Sequence, residues 1–402
     1  MIALNQNASP DLAASRKVLY HFRTRGRGAE AVHIGGIASA LERLGYPIVF
    51  SNPAMIDPRQ SAGANPFASG RRRSWIDSVS RILPSALFEF AELAYNAVAF
   101  LRNRRLLTGG DFAFIYERHA FFLFATALLA RARGIPLVVE VNELIGDERV
   151  RKQPLLAPMA RLADRITFKI ATLIVVVSPH LQRRIASTGI AAEKIIVMPN
   201  AIDANAADAS EGRDAVRARL GFEDGCVIAF VGWFVPWHHL DWLVQAFAAL
   251  APAAPDLRLM LVGDGPLRSE IEAEACRGGV TEKLTITGAV EHRSVGGYVA
   301  AADIAVIPHS NEYRSPIKLF EYMAQGRAIV APATEPVQSV LQDGVNALLF
   351  PPGDKIALQE QLARLVADAS LRERLGQRAR ADVFARHTWD HNARKVLARL
   401  SL

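Results

Sequence analysis

Short apolar runs rich in β-branched residues alternate with segments of helical period along the whole of this 402-residue chain. In the first half the runs fall at Val18–Tyr20, Pro47–Phe50, Ala113–Tyr116, Pro136–Val141, Leu173–Ser178 and Ile195–Met198. In the second they fall at Cys226–Val231, Leu257–Val262, Leu284–Thr287, Ile304–Ile307, Ala328–Ala331 and Ala347–Phe350. Such alternation predicts βαβ units, hence parallel sheets covered by helices on both faces. Six strands per half predict an α/β fold of two doubly wound, Rossmann-like domains. Pro199–Gly212 is small and polar, which places the linker between them. Half of the residues are apolar, so whole-chain disorder, collagen and coiled coil are excluded. Ligands of such sheets bind beyond the carboxyl ends of the strands, and with two domains the natural site is the cleft between them.

The formal net charge of +7 is unevenly spread. Residues 1–200 carry 26 Lys and Arg against 15 Asp and Glu, and residues 201–402 carry 21 against 25. The basicity belongs to one half, and no recognised nucleic-acid module accompanies it, which argues against a nucleic-acid partner. The N-terminus lacks a basic start followed by an apolar stretch, so it does not read as a signal peptide. The longest apolar run, Ala120–Ala130, is far short of the roughly 20 residues that span a bilayer. A cytoplasmic protein is expected, with attachment to a membrane surface left open. Cys226 and Cys276 are expected to be reduced packing residues.

One segment interrupts the alternation. Ser51–Ser85 is rich in Pro, Gly, Ser and Arg, including Arg71–Arg73, and Ala86–Leu107 reads as an amphipathic helix with a basic tail. Its apolar positions Leu87, Phe90, Leu93 or Ala94, Ala97 and Leu101 follow helical spacing. That stripe suits either packing within the fold or lying on an anionic membrane surface.

Three turns carry residues suited to an anionic ligand. Arg25-Gly26-Arg27-Gly28-Ala29-Glu30 lies between the first strand and a helix, where glycine lets backbone N–H groups approach a phosphate. Gly263 and Gly265 lie in a turn after a second-half strand. In Pro308–Pro332, Ser315 reads as an N-cap and Pro316 as the first position of a helix over Ile317–Gln325 that ends at Gly326. Lys318 and Glu321 share a face of it. A cation beside a phosphate site and a carboxylate able to grip a ribose diol suit a nucleotide. A salt bridge on a solvated face suits the same spacing equally well.

The stretches GAE (28–30), VVVSPHLQRRI (175–185), VMPNAID (197–203), VGWFVPWHHLDWLVQAF (231–247), LVGDGPLRSEIE (261–272), ITGAVEH (286–292) and SPIKLFEYMAQGRAIVA (315–331), in this order, resemble family 4 glycosyltransferases. The resemblance covers nearly the whole chain. It implies the GT-B architecture, with an acceptor-side domain over 1–199 and a donor domain over 200–385. A C-terminal helix at about 386–402 would pack back on the first domain. It implies retaining transfer of a hexose-type sugar from a nucleoside diphosphate, UDP or GDP, to an acceptor hydroxyl. The acceptor would be a glycan or lipid-linked glycan of surface polysaccharide or glycolipid synthesis, with neither cofactor nor metal. Glu321 would grip the ribose, the backbone around Val290 would meet the base, and Arg314, Ser315, Pro316 and Ile317 would cradle the sugar and diphosphate. Gly28 would lie at the diphosphate end of the cleft, and Gly232, Gly263 and Gly265 would also bind the donor.

The departures from the family pattern are informative. The first of two glutamates common in the family is replaced by Tyr313, within a Ser-Pro-Ile-Lys-Leu-Phe-Glu-Tyr subgroup pattern. The usual diphosphate cations are replaced by Trp233, His238 and His239, so Lys318, Arg314 or a protonated His238 would substitute. A histidine common after the fourth strand is absent, which leaves Asn142 or Glu143 for that role. Lys318, Glu321, Asn142 and His238 are thus the catalytic candidates. Adjacent His238 and His239 do not make a metal site without further ligands. A nucleotide-sugar epimerase and a non-catalytic nucleotide-sugar-binding relative are the alternatives.

Overall fold

The computed structural model describes residues 16–24, 29–61, 85–147, 153–204, 211–222 and 225–402. Gly28, Arg25, Arg27, Arg71–Arg73 and the centre of the linker lie outside the described residues. The first half holds β1 (Lys17–His21), α1 (Ala29–Arg43), β2 (Ile48–Ser51), α2 (Pro58–Ser61), α3 (Ser85–Leu107), β3 (Phe112–Arg118), α4 (Ala125–Arg133), β4 (Leu137–Val141), α5 (Ala157–Ile170), β5 (Leu173–Val176), α6 (Pro179–Ala186) and β6 (Ile195–Val197). The second holds α7 (Arg213–Leu220), β7 (Val227–Val231), α8 (Leu240–Leu250), β8 (Arg258–Val262), α9 (Arg268–Arg277), β9 (Leu284–Ile286), α10 (His292–Ala301), β10 (Ile304–Val306), α11 (Ile317–Ala324), β11 (Ala328–Pro332), α12 (Glu335–Gln338), β12 (Leu348–Phe350), α13 (Lys355–Ala367), α14 (Ala369–Arg386) and α15 (Trp389–Leu400).

Each half forms one six-stranded sheet, ordered β2-β1-β3-β4-β5-β6 and β12-β11-β10-β7-β8-β9. Every strand pairing is parallel. The twelve predicted strands are all present. Strands such as β4 (LVVEV) and β7 (VIAFV) are buried at every position, which is why they read as continuous apolar runs rather than alternating ones. The strand order reverses between β1 and β3 in one sheet and between β7 and β10 in the other, and crevices open at such points.

The chain finally returns to the first sheet. Trp389, Ala393, Val396 and Leu397 of α15 join the core of β1, β3 and α1. Trp389 lies so close to α1 that a Cβ on Gly36 would sit 2.3 Å from its indole nitrogen. Between the sheets, the crossing segment is pinned from both sides. The Asn392 amide donates to the Pro199 carbonyl (2.9 Å), and Ile202 exchanges backbone hydrogen bonds with His387 and Trp389.

One expectation is narrowed and one is corrected. α3 turns its apolar stripe outward: Leu87, Phe90, Val98 and Leu101 are exposed, Leu101 by 65%. Its polar face is the anchored one. Asn96 accepts from the Phe124 and Ala125 N–H groups (2.9 Å each) and donates to the Phe122 carbonyl (2.7 Å). Glu89 accepts from Leu155 and Leu156 N–H (2.7 Å each), and Asn103 bonds Ser51 and Thr126. These hydrogen bonds act together with the packing of Leu93, Ala99, Phe100 and Leu107 to hold the helix against the domain. Cys276 is exposed on α9, while Cys226 packs as expected.

Replacing Trp389 with Ala removes a fully buried aromatic from the first domain's core, although the residue is remote from it in sequence. The expected loss is about 3–5 kcal/mol of stability in urea unfolding followed by tryptophan-independent circular dichroism.

Candidate active site

The carboxyl end of β10 leads into the turn that starts α11, and this turn faces the first domain. Ser315 does not cap the helix; Pro316 occupies the N-cap position and makes no side-chain cap. The Ser315 hydroxyl instead accepts from the Asn200 N–H (3.0 Å), and its carbonyl accepts from the Asn200 side-chain amide (2.6 Å). The start of α11 is therefore without a side-chain cap. Ile317 and Glu321 line a cavity of about 280 Å³ shared with Val32, Gly35 and Arg59 of the first domain, with His292 and with Trp389. Domain-spanning lining of this kind is the usual setting of a small-molecule site.

Lys318 and Glu321 are not a surface salt bridge. The Lys318 ammonium sits 3.9 Å from the centre of the Phe230 ring and 3.4 Å from His238 Nε2. Burial pushes it down to about 7, and the Glu321 charge offsets this only in part. Burial also raises the Glu321 carboxyl, against the pull of His292, 3.7 Å away, and of Lys318. An underused cation and an underused carboxylate side by side are poised for groups that a ligand would bring.

The glycine turns have a structural reason of their own. A Cβ on Gly232 (φ +147°) would lie 2.7 Å from Lys318 Nζ, so Gly232 makes room for that ammonium. A Cβ on Gly263 would lie 2.0 Å from the Gly232 carbonyl, and one on Gly265 would lie 2.5 Å from the Phe234 backbone. The turns after β7 and β8 therefore pack backbone to backbone.

The expectation of a cationic His238 is corrected. Burial and the neighbouring Lys318 push its imidazole far down, so it is neutral near pH 7. As the acceptor from Lys318 it carries its proton on Nδ1, which is buried without a protein partner. His239 turns away with φ +48° and stacks on Trp242 at 4.1 Å, so the two imidazoles do not converge on one ion. Arg314 lies over the Trp237 and Tyr313 rings, and Val290 packs against the second domain's core. Tyr313, where the family has a glutamate, is buried among first-domain residues that include Leu144 and Leu181.

The first domain contributes a buried polar cluster at the ends of β3 and β4. Asn142 donates to Glu140 Oε1 (2.7 Å), as does Arg118 (2.5 Å). Tyr116 and His33 meet Glu140 Oε2 at 2.9 and 2.8 Å. His119 is satisfied elsewhere, by Asp164 at 2.8 Å. His33, Glu140 and Asn200 carry a buried polar link between the domains, yet their sequence context did not single them out. The available signal was a carboxylate within an otherwise apolar buried strand, LVVEV.

The Glycosyltransferase Family 4 profile matches residues 27–206, and the profile of Glycosyl transferases group 1 matches residues 225–368. The chain is a glycosyltransferase of GT-B architecture, and its first domain matches the family 4 profile. It is 25% identical over 264 residues to the alpha-D-kanosaminyltransferase of Streptomyces kanamyceticus, covering 64% of this chain and 68% of that one. It is 29% identical over 281 residues to the 2-deoxystreptamine glucosyltransferase of the same organism, covering 66% and 71%. Anabaena HepE, solved in complex with UDP, has the same fold, with a TM-score of 0.71 at 18% identity over 96% of this chain and 99% of that one.

A lysine whose folded value is depressed makes unfolding harder as pH rises from about 7 toward its ordinary 10.5, because the unfolded chain binds the extra proton there. In Lys318→Met this rise disappears. The variant is expected to melt a few degrees higher than the parent at neutral pH while losing transferase activity, measured by thermal denaturation across pH 6–10 and by nucleotide release.

Proposed function

We propose that this glycosyltransferase takes a UDP- or GDP-sugar and transfers the sugar with retention to an acceptor hydroxyl. Residues 200–385 hold the donor and residues 1–199 the acceptor. The single observation that carries this reading is the cavity between the domains into which α11 presents Ile317 and Glu321. Glu321 grips the ribose diol there, and Val290 lies beside the base. Lys318, backbone N–H groups at the start of α11 and Gly28 meet the diphosphate. Arg314, Ser315 and Pro316 shape the sugar pocket.

In the transfer the bond from the sugar's anomeric carbon to the diphosphate breaks. The acceptor oxygen bonds to that carbon from the same face, and its proton passes to the departing phosphate. Charge grows on the leaving diphosphate, where a donor group held in place by the protein stabilises most. Lys318 is such a group: the negative charge of the approaching diphosphate favours its protonated form, with the proton taken up from solvent. The neutral His238 offers its Nδ1–H, and Asn142 faces the acceptor side. Closure of the cleft keeps water from the reacting carbon. Neither cofactor nor metal enters this scheme.

The kanosaminyl- and glucosyltransferase relatives support sugar transfer without naming the acceptor of this chain. A glycan or lipid-linked glycan of surface polysaccharide synthesis fits a cytoplasmic enzyme working at an anionic membrane face. The outward stripe of α3 favours that setting: Leu87, Phe90, Val98 and Leu101 lead to exposed Arg104 and Arg105. Leu155, Met159 and Leu162 at the start of α5 are exposed beside the first turn of α3. Apolar side chains flanked by arginines suit the boundary of an anionic bilayer. Among the described residues no helix is long and apolar enough to cross a membrane.

A panel of UDP-, GDP- and ADP-sugars should give thermal stabilisation and slow nucleotide release with one base. Glu321→Ala should lower kcat/KM for that donor by about 100-fold. Unchanged transfer in Glu321→Ala would remove the ribose assignment. Donor affinity should tighten as pH falls from 9 to 7, because the free enzyme's Lys318 regains its proton there, and should level off below that.

Replacing Leu87, Phe90 and Leu101 together with Ser should abolish co-sedimentation with vesicles containing phosphatidylglycerol. Activity on a water-soluble acceptor should be unchanged. Equal binding of the parent to neutral vesicles would sink the membrane reading.

A further inference from the structure

The strongest feature outside the donor pocket is the buried chain of hydrogen bonds that runs from β4 to the start of α11. Its members are almost wholly enclosed: Glu140 is 0% exposed, His33 4%, Asn200 7% and Ser315 8%. Donor and acceptor roles along it follow by counting. The Asn200 side-chain nitrogen faces the Ser315 carbonyl at 2.6 Å, and a carbonyl only accepts, so that nitrogen donates. The Asn200 Oδ1 atom therefore faces His33 Nδ1, 2.5 Å away, and Nδ1 must be the donor. At the other side of the ring, Nε2 lies 2.8 Å from Glu140 Oε2. The Arg118 guanidinium and the Asn142 amide both donate to the other oxygen of Glu140, at 2.5 and 2.7 Å, and hold the carboxyl ionised. It is an acceptor, so Nε2 donates as well.

Both ring nitrogens of His33 thus donate, and the ring carries a proton on each. The charged and titratable groups around it fit that state. Glu140 faces it from β4, and Arg118 and Tyr116 from β3 also bond Glu140. Tyr20 of β1 and Glu30 of α1 act on the same cluster through Glu140 and Arg118. From α15 the ring meets only the indole of Trp389, at 4.8 Å between centroids.

We propose that His33, held as an imidazolium between Glu140 and Asn200, is a positioning residue that fixes the Ser315 turn, and with it the start of α11, against the first domain. A neutral ring donates from one nitrogen only. It would leave either Glu140 or Asn200 Oδ1 without a donor, and Asn200 would no longer be held in the orientation that grips Ser315. A charge in the acceptor-side domain thereby sets the geometry of the donor loop, although His33 touches no substrate. This inference rests on the reading that the donor binds at the start of α11.

Full-length protein labelled with ¹⁵N-histidine tests the proton count directly, with the His33 signals assigned by their loss in His33→Gln. Both His33 nitrogens are expected to show the imidazolium signature at about pH 7.5. A neutral tautomer there overturns the proposal. Asn200→Asp keeps the acceptor for His33, and it replaces the amide nitrogen facing Ser315 by an oxygen. It should retain the imidazolium signature and raise donor KM about ten-fold, with kcat and acceptor KM little changed. Unchanged donor KM in Asn200→Asp, alongside a raised donor KM in Glu321→Ala, overturns the link to the donor loop. If donor KM is unchanged in both, the donor site itself is misplaced, and the histidine spectrum still decides the state of His33.

Discussion

A parallel sheet covered on both faces leaves only the ends of its strands open, and everything functional here follows from that constraint. Each domain buries its sheet between helices, so side chains in β4, β5 or β7 meet only protein. Polar chemistry gathers at the carboxyl ends of the strands and in the turns beyond them. The two switch points, between β1 and β3 and between β7 and β10, look onto one cleft. Return of the chain through α15 secures this arrangement, because Trp389 reaches the first domain's core and lines the cleft at once.

Within the cleft the protein handles charge in two different ways. Glu140 is fully buried, yet it accepts from His33, Tyr116, Arg118 and Asn142, and so its charge is satisfied by the fold itself. Lys318 and Glu321 are left less well satisfied: burial pushes each toward its neutral form. The first arrangement makes a rigid strut between the domains. The second stores an electrostatic deficit that an anionic ligand with a diol would relieve.

Much of the site was legible in the residue order. The Ser315–Tyr322 run identified the start of α11, with Lys318 and Glu321 on one face. Its local details were not legible. Ser315 has the residue type of an N-cap, but the partner that claims its hydroxyl, Asn200, lies 115 positions away. His238 reads as a replacement cation from its place in the pattern, but burial beside Lys318 makes it neutral. Leu87, Phe90 and Leu101 are spaced as a helix face. Whether that face turns inward depends on Asn96, Glu89 and Asn103, whose partners lie on other segments.

By itself the sequence determined the twelve strands, the two-sheet architecture and the glycosyltransferase family. These depend on local periodicity and on motifs a few residues long, which the chain carries wherever it is placed. Only the tertiary structure decided which face of α3 meets solvent, the neutral state of His238, the depressed ammonium of Lys318, and the hydrogen bonds that run from Glu140 through His33 and Asn200 to Ser315. Each of these depends on burial and on hydrogen-bond partners supplied by distant segments, and neither exists until the chain has folded.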